Sequence, residues 1–294
     1  MSPAGRTVIA VASGKGGTGK TTVAAHLAIA SARSRATLLV DLDVEAPDAC
    51  GYFLGASSIG TPEMVSVLVP GLVEAACTGC GLCARTCRFG AILVIGGVVT
   101  IDQGICKGCG ACVAVCPTEA LIETPTIVGK MSRKEEGGLG LLEGRLVVGD
   151  IRSTVIIEST KNKAASIDAA VQIRDCPPGV SCPATHAIEG ADYIILVAEP
   201  TEFSLHDLGA AARLARERGI PTGVVINKDG FGDADVAGFC AGEGIPVIGR
   251  IAFLRERAAA GAAASLWRDD PEITVAMDRI LKRALADART RRAS

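Results

Sequence analysis

The stretch Thr7–Thr22, which reads TVIAVASGKGGTGKTT, decides the fold of this 294-residue chain. Its apolar start runs directly into glycines, which predicts a buried parallel strand over Thr7–Ala12. A helix is predicted from about Thr21 to Ser31, and the apolar run Ala36–Val40 predicts a second strand. A strand–loop–helix–strand unit places both strands in one parallel sheet. We therefore expect an α/β fold with helices on both faces of the sheet.

The loop between this strand and this helix has the pattern of a phosphate-binding loop. Gly14–Thr21 fits G-x-x-x-x-G-K-[ST] in the required strand-to-helix context. Glycines let backbone N–H groups converge on phosphate oxygens, and the helix N-terminus adds favourable dipole charge. Lys20 is expected to reach the β- and γ-phosphates, and Thr21 to ligate Mg²⁺. The loop residues expected to bind nucleotide are Gly14, Lys15, Gly16, Gly17, Thr18, Gly19, Lys20, Thr21 and Thr22.

Two copies of one cysteine pattern follow further along the chain. Each copy reads C-x₂-C-x₂-C-x₃-C, and the second begins 29 residues after the first. This is the spacing of bacterial two-cluster ferredoxins, in which the fourth cysteine of each run ligates the other cluster. A pair of zinc sites is the alternative, but zinc favours two separated ligand pairs. The expected ligands are Cys77, Cys80, Cys83 and Cys116 for one [4Fe-4S] cluster, and Cys106, Cys109, Cys112 and Cys87 for the second.

Composition narrows the class of protein. The net charge is −2 and aromatic residues make up 3% of the chain, which disfavours nucleic-acid binding. No apolar run reaches the roughly 18–20 residues of a membrane-spanning helix, and no signal peptide is recognisable. We therefore expect a cytoplasmic protein that binds neither nucleic acid nor membrane. In a reducing compartment, twelve cysteines favour metal ligation over disulfides.

The cysteine-rich stretch interrupts the α/β pattern and predicts an inserted ferredoxin-like domain. The expected boundaries are 1–69 and 151–294 for the two parts of the phosphate-loop domain, 70–125 for the insert and 126–150 for a connector or hairpin. Further strands are predicted at Ser153–Ile157, Ala170–Ile173, Tyr193–Ala198, Gly223–Ile226 and Pro246–Ile251, with a helix at Leu205–Arg218.

A second lysine in the loop, Lys15, extends the motif to K-G-G-x-G-K-[ST]. With it the sequence resembles the deviant Walker A ATPases, which include MinD and ParA, the Mrp-type iron–sulfur carriers and the nitrogenase iron protein. The resemblance implies a Mg²⁺-dependent ATPase in which Lys15 contacts phosphate across a nucleotide-sandwich dimer. The dimer partner would be a second copy or a related ATPase. By the same resemblance, the expected catalytic residues are Lys15, Lys20, Asp43 and Asp175.

Acidic residues at strand ends are expected at the same site. Asp41 and Asp43 end the second strand, where ligands collect in open α/β sheets. The resemblance makes Asp43 the residue that positions attacking water, and an ordinary loop role is the alternative for both. Glu199 ends another strand and is expected at the same rim.

The segment Asp175–Gly179 resembles the D-x-P-P-G switch of this family. There the Asp reaches the magnesium shell and the backbone of the glycine, here Gly179, senses the γ-phosphate. Gln172 and Arg174 precede the switch in a strand that is wholly apolar in many relatives, which predicts a sheet edge or a partner surface for it.

The strand GVVIN ends in Asn227, which the resemblance implies reads the adenine edge, and Lys228 follows it. An ordinary strand-end Asn is the alternative. These two residues complete the expected nucleotide site.

Four cysteines lie outside the two runs. Cys50 and Cys240 are expected to be small buried residues. Cys182, by analogy with the nitrogenase iron protein, could hold a shared or transient metal site. A redox-active pair with Cys176 and simple packing are the alternatives.

A C-terminal helix is predicted over Ile273–Leu285, with one apolar face. Packing of this face on the sheet is expected, and a MinD-like contact with membrane is the alternative. The residues of the face are Ile273, Met277, Ile280 and Leu281.

Together these motifs predict an ATPase that couples nucleotide-driven dimer closure to electron transfer, or to iron–sulfur or metal-cofactor assembly, on a partner protein. One alternative is an Mrp-type cluster carrier without redox gating. Another is a MinD/ParA-like positioning ATPase with structural clusters. A cobyrinic-acid amidating synthetase is ranked last, because no glutaminase Cys–His pair is recognisable.

Overall fold

The computed structural model describes residues 6–262, 266–268 and 270–293. Within these ranges the chain forms a ten-stranded sheet, a separate two-stranded sheet and nine α-helices. The strands are β1 (Thr7–Ala12), β2 (Thr37–Asp41), β3 (Ser57–Ser58), β4 (Glu63–Leu72), β5 (Ile92–Ile95), β6 (Val98–Ile101), β7 (Leu121–Glu136), β8 (Leu139–Leu146), β9 (Val171–Asp175), β10 (Tyr193–Ala198), β11 (Thr222–Asp229) and β12 (Val247–Ala252). The helices are α1 (Lys20–Ala32), α2 (Leu82–Thr86), α3 (Ala111–Ala114), α4 (Ser153–Ser166), α5 (Cys182–Ile188), α6 (Glu202–Glu217), α7 (Val236–Gly242), α8 (Arg255–Ala262) and α9 (Pro271–Ala293).

The large sheet has a parallel centre and an antiparallel edge. Its strands lie in the order β12, β11, β10, β1, β9, β2, β8, β7 and β3, and β4 also pairs with β7. Neighbours from β12 to β8 are parallel, whereas β7 is antiparallel to β8, β3 and β4. The expected α/β fold is confirmed. The carboxyl ends of the parallel strands share one edge, where ligands bind in open sheets.

Two apolar clusters fix helices to the two faces of this sheet. Because alternate side chains of a strand point to opposite faces, Val8 packs with α4 to α7 and Ile9 packs with α1 and α9. The expected packing of the C-terminal helix is confirmed, since its apolar face is covered. No helix in the described ranges is long and apolar enough to cross a membrane. The covered residues of α9 include Ile273, Met277, Ile280 and Leu281.

The predicted strand at Ser153–Ile157 is wrong, because these residues begin the helix α4. The β-branched run looks like a strand, but its buried positions have helical spacing. They recur at intervals of three or four residues, which places them on one face of a helix. The buried residues are Ser153, Ile156, Ile157, Thr160 and Ala164.

The predicted edge position of the strand before the switch is also wrong. β9 lies between β1 and β2 in the middle of the sheet, and Gln172 and Arg174 are buried. Gln172 donates to the carbonyl of Ala164 at 3.0 Å, and Arg174 donates to the carbonyl of Glu189 at 2.9 Å. Both side chains satisfy carbonyl groups at or just beyond the C-terminal ends of neighbouring helices, which explains polar residues in a central strand.

The antiparallel pair β4–β7 joins the cysteine-rich insert to the large sheet. The pairing runs from Glu63 opposite Met131 to Leu72 opposite Leu121. These strands cross the expected boundaries at 69/70 and 125/126. β7 then turns through Gly137 and β8 returns antiparallel to it, so the segment 126–150 contains a hairpin.

The two cysteine runs adopt the same local structure. α2 and α3 begin after Gly81 and Gly110, whose φ angles of 74° and 72° lie in the left-handed region that glycine tolerates. Gly90 and Glu119, at equivalent positions of the repeat, also have positive φ angles of 67° and 55°. The sequence repeat is therefore a structural repeat.

Candidate nucleotide site and cysteine centres

The glycine loop connects the end of β1 to the start of α1 and borders a cavity of about 500 Å³. That volume is typical of small-molecule sites. Gly14, Thr18, Asp41, Asp175 and Gly179 do not line the cavity directly. The expected site residues that line it are Lys15, Gly16, Gly17, Gly19, Lys20, Thr21, Thr22, Asp43, Asn227 and Lys228.

Lys20 is buried between two carboxylates from different strand ends. Its Nζ lies 2.9 Å from Asp175 Oδ1 and 3.9 Å from Asp43 Oδ2. Burial lowers the pKa of Lys20, but the charge of Asp175 and its hydrogen bond outweigh burial and raise the pKa above its ordinary value. The fold therefore brings three of the expected catalytic residues together, and Lys20 is charged.

Asp43 and Asp41 differ in what they contact. Burial raises the pKa of Asp43 to about 6, with Lys20 opposing the shift and Asp175 adding to it. Asp41 accepts hydrogen bonds from the N–H groups of Asp43 at 3.1 Å and Ala49 at 2.8 Å. Burial and the charge of Asp175 raise the pKa of Asp41 well above its usual range. Asp41 thus fixes the loop that presents Asp43 to the cavity.

Lys15 is paired with Glu199 of its own chain. Lys228 Nζ lies 2.8 Å from the other Glu199 oxygen and donates to the carbonyl of Gly17 at 2.7 Å. Burial raises the pKa of Glu199, but hydrogen bonds from the two lysines bring it below its ordinary value. A single buried carboxylate therefore holds both lysines at the mouth of the loop.

Asn227 and the switch contact the glycine loop directly. Asn227 Nδ2 donates to the carbonyl of Thr18 at 2.7 Å. A Cβ on Gly19, whose φ is +86°, would lie 2.2 Å from that nitrogen, so this position requires glycine. On the other side, the Gly179 N–H donates to the carbonyl of Ser13 at 2.8 Å.

Two buried oxygens beside the loop have no hydrogen-bond partner among the described residues. They are Thr18 Oγ1 and Asp175 Oδ2. Buried polar atoms are nearly always hydrogen-bonded in native proteins, so these atoms suit a bound ligand. Lysine ammonium groups suit phosphate, and hydroxyl and carboxylate oxygens suit Mg²⁺. The residues present fit a nucleotide with its metal ion.

The outer wall of the cavity comes from residues that the sequence did not identify. Phe253 and Leu254 follow β12, and Trp267 lies 4.8 Å from the ring of His26 between centroids. The indole N–H of Trp267 donates to the carbonyl of Arg257 at 3.1 Å. The one available signal was that Trp267 is the only tryptophan in the chain.

Two smaller cavities lie in the insert, and four cysteines line each of them. Both take three cysteines from one run and the fourth from the other run. The first cavity is lined by Cys77, Cys80, Cys83 and Cys116, with Leu72, Val99 and Leu121 among its apolar neighbours. The second is lined by Cys106, Cys109, Cys112 and Cys87, with Pro70, Phe89 and Ile92 among its apolar neighbours.

Backbone N–H groups point at the sulfurs of these cysteines. Cys77 and Cys106, at equivalent positions, each accept a bond of 3.4 Å from the glycine two residues ahead. Burial raises the pKa of Cys116, but the N–H groups of Leu121, Thr118 and Ala120 outweigh it and lower the pKa. Such donors favour the thiolate, which is the form that ligates metals.

The cysteines outside the runs differ in exposure. Cys176 is fully buried, and burial raises its pKa to about 12, so it is a protonated thiol at neutral pH. This disfavours a redox pair with Cys182, which is exposed at the start of α5. A metal-binding role for Cys182 stays a prediction. Cys50 and Cys240 are buried, as expected.

Comparisons with known proteins match most of the chain. A family model of the CobQ/CobB/MinD/ParA nucleotide binding domain matches residues 9–265. The chain is 28% identical over 229 residues to Uncharacterized protein MJ0579 of Methanocaldococcus jannaschii, which covers 78% of this chain and 82% of that protein. It is 35% identical over 203 residues to Uncharacterized protein MJ0578 of the same organism, which covers 68% of this chain and 70% of that protein.

Solved structures share the fold at low sequence identity. The septum site-determining protein MinD complexed with Mg-ADP, from Pyrococcus horikoshii, has a TM-score of 0.57 and 17% identity, covering 95% of each chain. A putative plasmid partition protein from Borrelia burgdorferi, bound to AMPPNP, has a TM-score of 0.56 and 14% identity, covering 96% of this chain and 99% of that chain. At these identities the likeness concerns the fold alone.

Proposed function

Because the chain belongs to the CobQ/CobB/MinD/ParA nucleotide-binding domain family, we propose that it is a Mg²⁺-dependent ATPase whose nucleotide state controls a two-cluster iron–sulfur insert. ATP binding closes a dimer with a second copy or a related ATPase. Closure then gates electron delivery, or iron–sulfur or metal-cofactor assembly, on a partner protein. One observation carries this proposal: a nucleotide-sized cavity and two four-cysteine cavities occur in one chain.

In the proposed reaction the loop residues bind the triphosphate and the strand-end carboxylates act on water. Lys20 leaves Asp175 to contact the β- and γ-phosphates, and Thr21 and Asp175 hold the Mg²⁺ shell. When bound, Mg²⁺ would neutralise the charge that develops on the transferred phosphoryl group. Asp43 orients the attacking water, and its accessible carboxylate at the cavity wall supports this role. Lys15 exchanges Glu199 for a phosphate across the dimer.

The spacing of the cysteine sulfurs supports iron–sulfur clusters over zinc. In a tetrahedral zinc site, Zn–S bonds of about 2.3 Å place sulfurs about 3.8 Å apart. Among the described residues no three cysteine sulfurs lie within 4.8 Å of one another. A cluster holds its thiolates farther apart than a single ion does, so this spacing favours cubanes over zinc. When bound, such clusters supply one-electron transfer.

Contacts around Gly14 support a dimer that responds to nucleotide. A Cβ on Gly14 would lie 2.2 Å from the carbonyl oxygen of Asp207 on α6, so α6 abuts the loop. The apolar residues Phe203 of α6 and Val180, which directly follows the switch, are 82% and 47% exposed. Exposed apolar side chains beside a nucleotide site suit an interface that forms when nucleotide binds.

Contacts between α5 and α4 support coupling between the switch and the insert. α5 follows the switch directly, and its His186 lies 2.9 Å from Glu158 Oε1 on α4. Lys161 of α4 donates to the carbonyl of His186 at 2.6 Å. A displacement of α5 would therefore act on α4, whose first residues lie near the insert.

The test compares nucleotide states of anaerobically purified protein. Iron and sulfide are counted, the dithionite-reduced protein is mixed with cytochrome c as acceptor, and reoxidation is followed with and without MgATP. We expect eight irons per chain, a several-fold change in reoxidation rate and a nucleotide-dependent dimer by sedimentation. Lys20→Gln is the matched control and should hold its iron without responding to nucleotide. Identical rates, spectra and association in both states would overturn the proposal.

A cluster-carrier role is the alternative that the exposure of Cys182 favours. It requires transfer of iron and sulfide to an apo-protein. Cys182→Ala would then abolish transfer while the eight irons of the insert stay bound. Retained transfer in this variant would exclude Cys182 as the carrier site.

A MinD-like positioning role also fits the family. However, a membrane contact through the C-terminal helix fits poorly, because the apolar face of α9 is packed on the sheet. Sedimentation with anionic liposomes, with and without MgATP, separates this role from the proposed one. ATP-dependent binding to liposomes would favour positioning.

A further inference from the structure

The loop that precedes α4 lies beside the second cysteine cavity. Lys107, next to the cavity residue Cys106, has its Nζ 3.5 Å from the carbonyl of Ile151. The next residue, Arg152, is 5% exposed and comes immediately before α4. A buried cation of the α/β domain is therefore placed where that domain meets the insert.

The guanidinium of Arg152 has one nitrogen without a partner. Asp150 accepts from Nε at 2.8 Å and also from Nη2. Nη1 is buried and has no hydrogen-bond partner among the described residues. The hydrogen bond to Asp150 raises the pKa of Arg152. A buried N–H on a cation is costly without an acceptor, so this nitrogen suits a negatively charged group on its open side.

The start of α4 adds to this positive environment. α4 has 14 residues, and no side chain caps its first N–H groups. Unpaired N–H groups at a helix N-terminus carry a partial positive charge. The helix end and the guanidinium of the Arg152–Asp150 pair therefore both lie beside the insert, next to the Lys107–Ile151 contact.

We propose that Arg152 sets the reduction potential of the cluster held by Cys106, Cys109, Cys112 and Cys87, and makes it the more easily reduced of the two clusters. This rests on the proposed function, because it requires that the insert hold two clusters. Reduction adds a negative charge, which the guanidinium of the Arg152–Asp150 pair and N–H donors to sulfur favour; without Arg152, Asp150 would be a buried, unpaired anion beside the insert. At the first cavity, the nearby cation Arg85 is solvent-exposed and donates to the carbonyl of Cys80, so among the described residues it is not an equivalent of Arg152. Electrons would then collect at the cluster next to the ATPase domain.

The test is a redox titration of the whole anaerobic protein, monitored by EPR. In Arg152→Gln the ratio of reduced to oxidised cluster at a fixed potential should fall about tenfold for one transition, which is about 59 mV for a one-electron couple. The second transition should not move. Arg152→Lys keeps the positive charge, so its transition should lie close to the wild-type potential. Arg85→Gln is the matched control and should leave the affected transition in place.

The outcomes separate this inference from the proposed function. Eight irons with one shifted transition in Arg152→Gln, and rescue by Lys, would support the role of Arg152. Eight irons with both transitions unchanged would overturn it while the proposed function stands. If the wild-type protein binds no iron–sulfur cluster, both are overturned. If Arg152→Gln fails to fold, the Arg152→Lys variant decides the question. A transition at the wild-type potential would support a role for the positive charge at this position. A tenfold fall in the ratio of reduced to oxidised cluster would exclude that role.

Discussion

The nucleotide site and the cysteine insert are assembled in opposite ways. The nucleotide site draws charged residues from distant strand ends, and these already pair with one another, as Lys20 does with Asp175 and Lys15 with Glu199. The insert takes all eight cysteines from the single stretch Cys77–Cys116. Its own apolar clusters contain few buried residues, and several of these are cysteines.

This contrast indicates different sources of stability. The nucleotide site is supported by the large core of the sheet, so it should keep its shape without a ligand. A small domain with little apolar core generally depends on a metal centre or disulfides. The insert should therefore depend on what its cysteines bind, and the following experiments test this division.

Replacing Lys20 with Gln should have the largest effect, and only at the nucleotide site. The variant lacks the ammonium group that we propose contacts phosphate, and it leaves Asp175 without its cation. Hydrolysis of MgATP, measured by phosphate release, should fall about a hundredfold or more, as when one positioned group is removed from other active sites. Lys130→Gln, at an exposed position, is the control. Loss of iron together with hydrolysis would show that the two regions are not independent.

Removing iron with a chelator should unfold the insert and spare the α/β domain. Amides of Cys77–Cys116 should exchange about a hundredfold faster in hydrogen–deuterium exchange, because local stability follows buried contacts. Amides of β1, which lie in the main core, serve as the internal control and should change little. Full protection of the metal-free insert would show that packing alone holds it, contrary to the comparison.

Acidification should affect the nucleotide site through Asp43, whose pKa burial raises to about 6. If the carboxylate orients water, kcat/KM for MgATP hydrolysis, which reports groups of the nucleotide-free protein, should fall about fivefold between pH 6 and pH 5, since the ionised fraction falls by that factor. The Asp43→Asn variant should hydrolyse MgATP slowly, at a rate that does not change with pH over this range. A wild-type profile without an acid limb near pH 6 would exclude the role.

The same shift predicts a stability effect with a defined sign. The folded protein binds a proton at Asp43 more tightly than the unfolded chain, so the contribution of Asp43 to stability is fully present below pH 3.8 and is lost as pH rises towards about 6. Urea unfolding of nucleotide-free protein at pH 5 and pH 6.5 measures this. In Asp43→Asn the free energy of unfolding should decrease less between pH 5 and pH 6.5 than in the wild-type protein. An equal decrease in both proteins would show that other groups cause it.

The smallest expected effect is optical. Trp267 is the only tryptophan and lines the nucleotide cavity, so its emission should change modestly when nucleotide binds. Trp267→Phe should lose the signal and, as a change at a partly exposed wall, alter nucleotide affinity by only about twofold. A large change in emission on iron removal without nucleotide would show that the insert reaches the nucleotide site.

The sequence predicts the parts of this molecule that have local causes. β1 and β10 have the bounds that their apolar runs indicate, because a fully buried parallel strand needs apolar residues throughout. The grouping of cysteines around two cavities also has a local cause, since short gaps hold three of them on one loop.

Other parts depend on tertiary packing and could not be predicted. The β-branched start of α4 has a strand-like composition, and only burial against β7, β8 and α5 makes it a helix. Arg174 and Gln172 lie in a central strand because the ends of α4 and α5, which pack beside that strand, accept their hydrogen bonds. Trp267 reaches the nucleotide cavity through contacts with His26 and Arg257 that its position in the sequence does not indicate.

The exchange of one cysteine between the two runs limits how the insert can change in evolution. Cys87 lines the cavity of the second run, and Cys116 lines the cavity of the first. Deleting either run would take three walls from one cavity and the fourth from the other. Each run completes the cavity of the other run. Loss of one run would therefore leave neither cavity with four cysteines, so the two runs are expected to be kept or lost together.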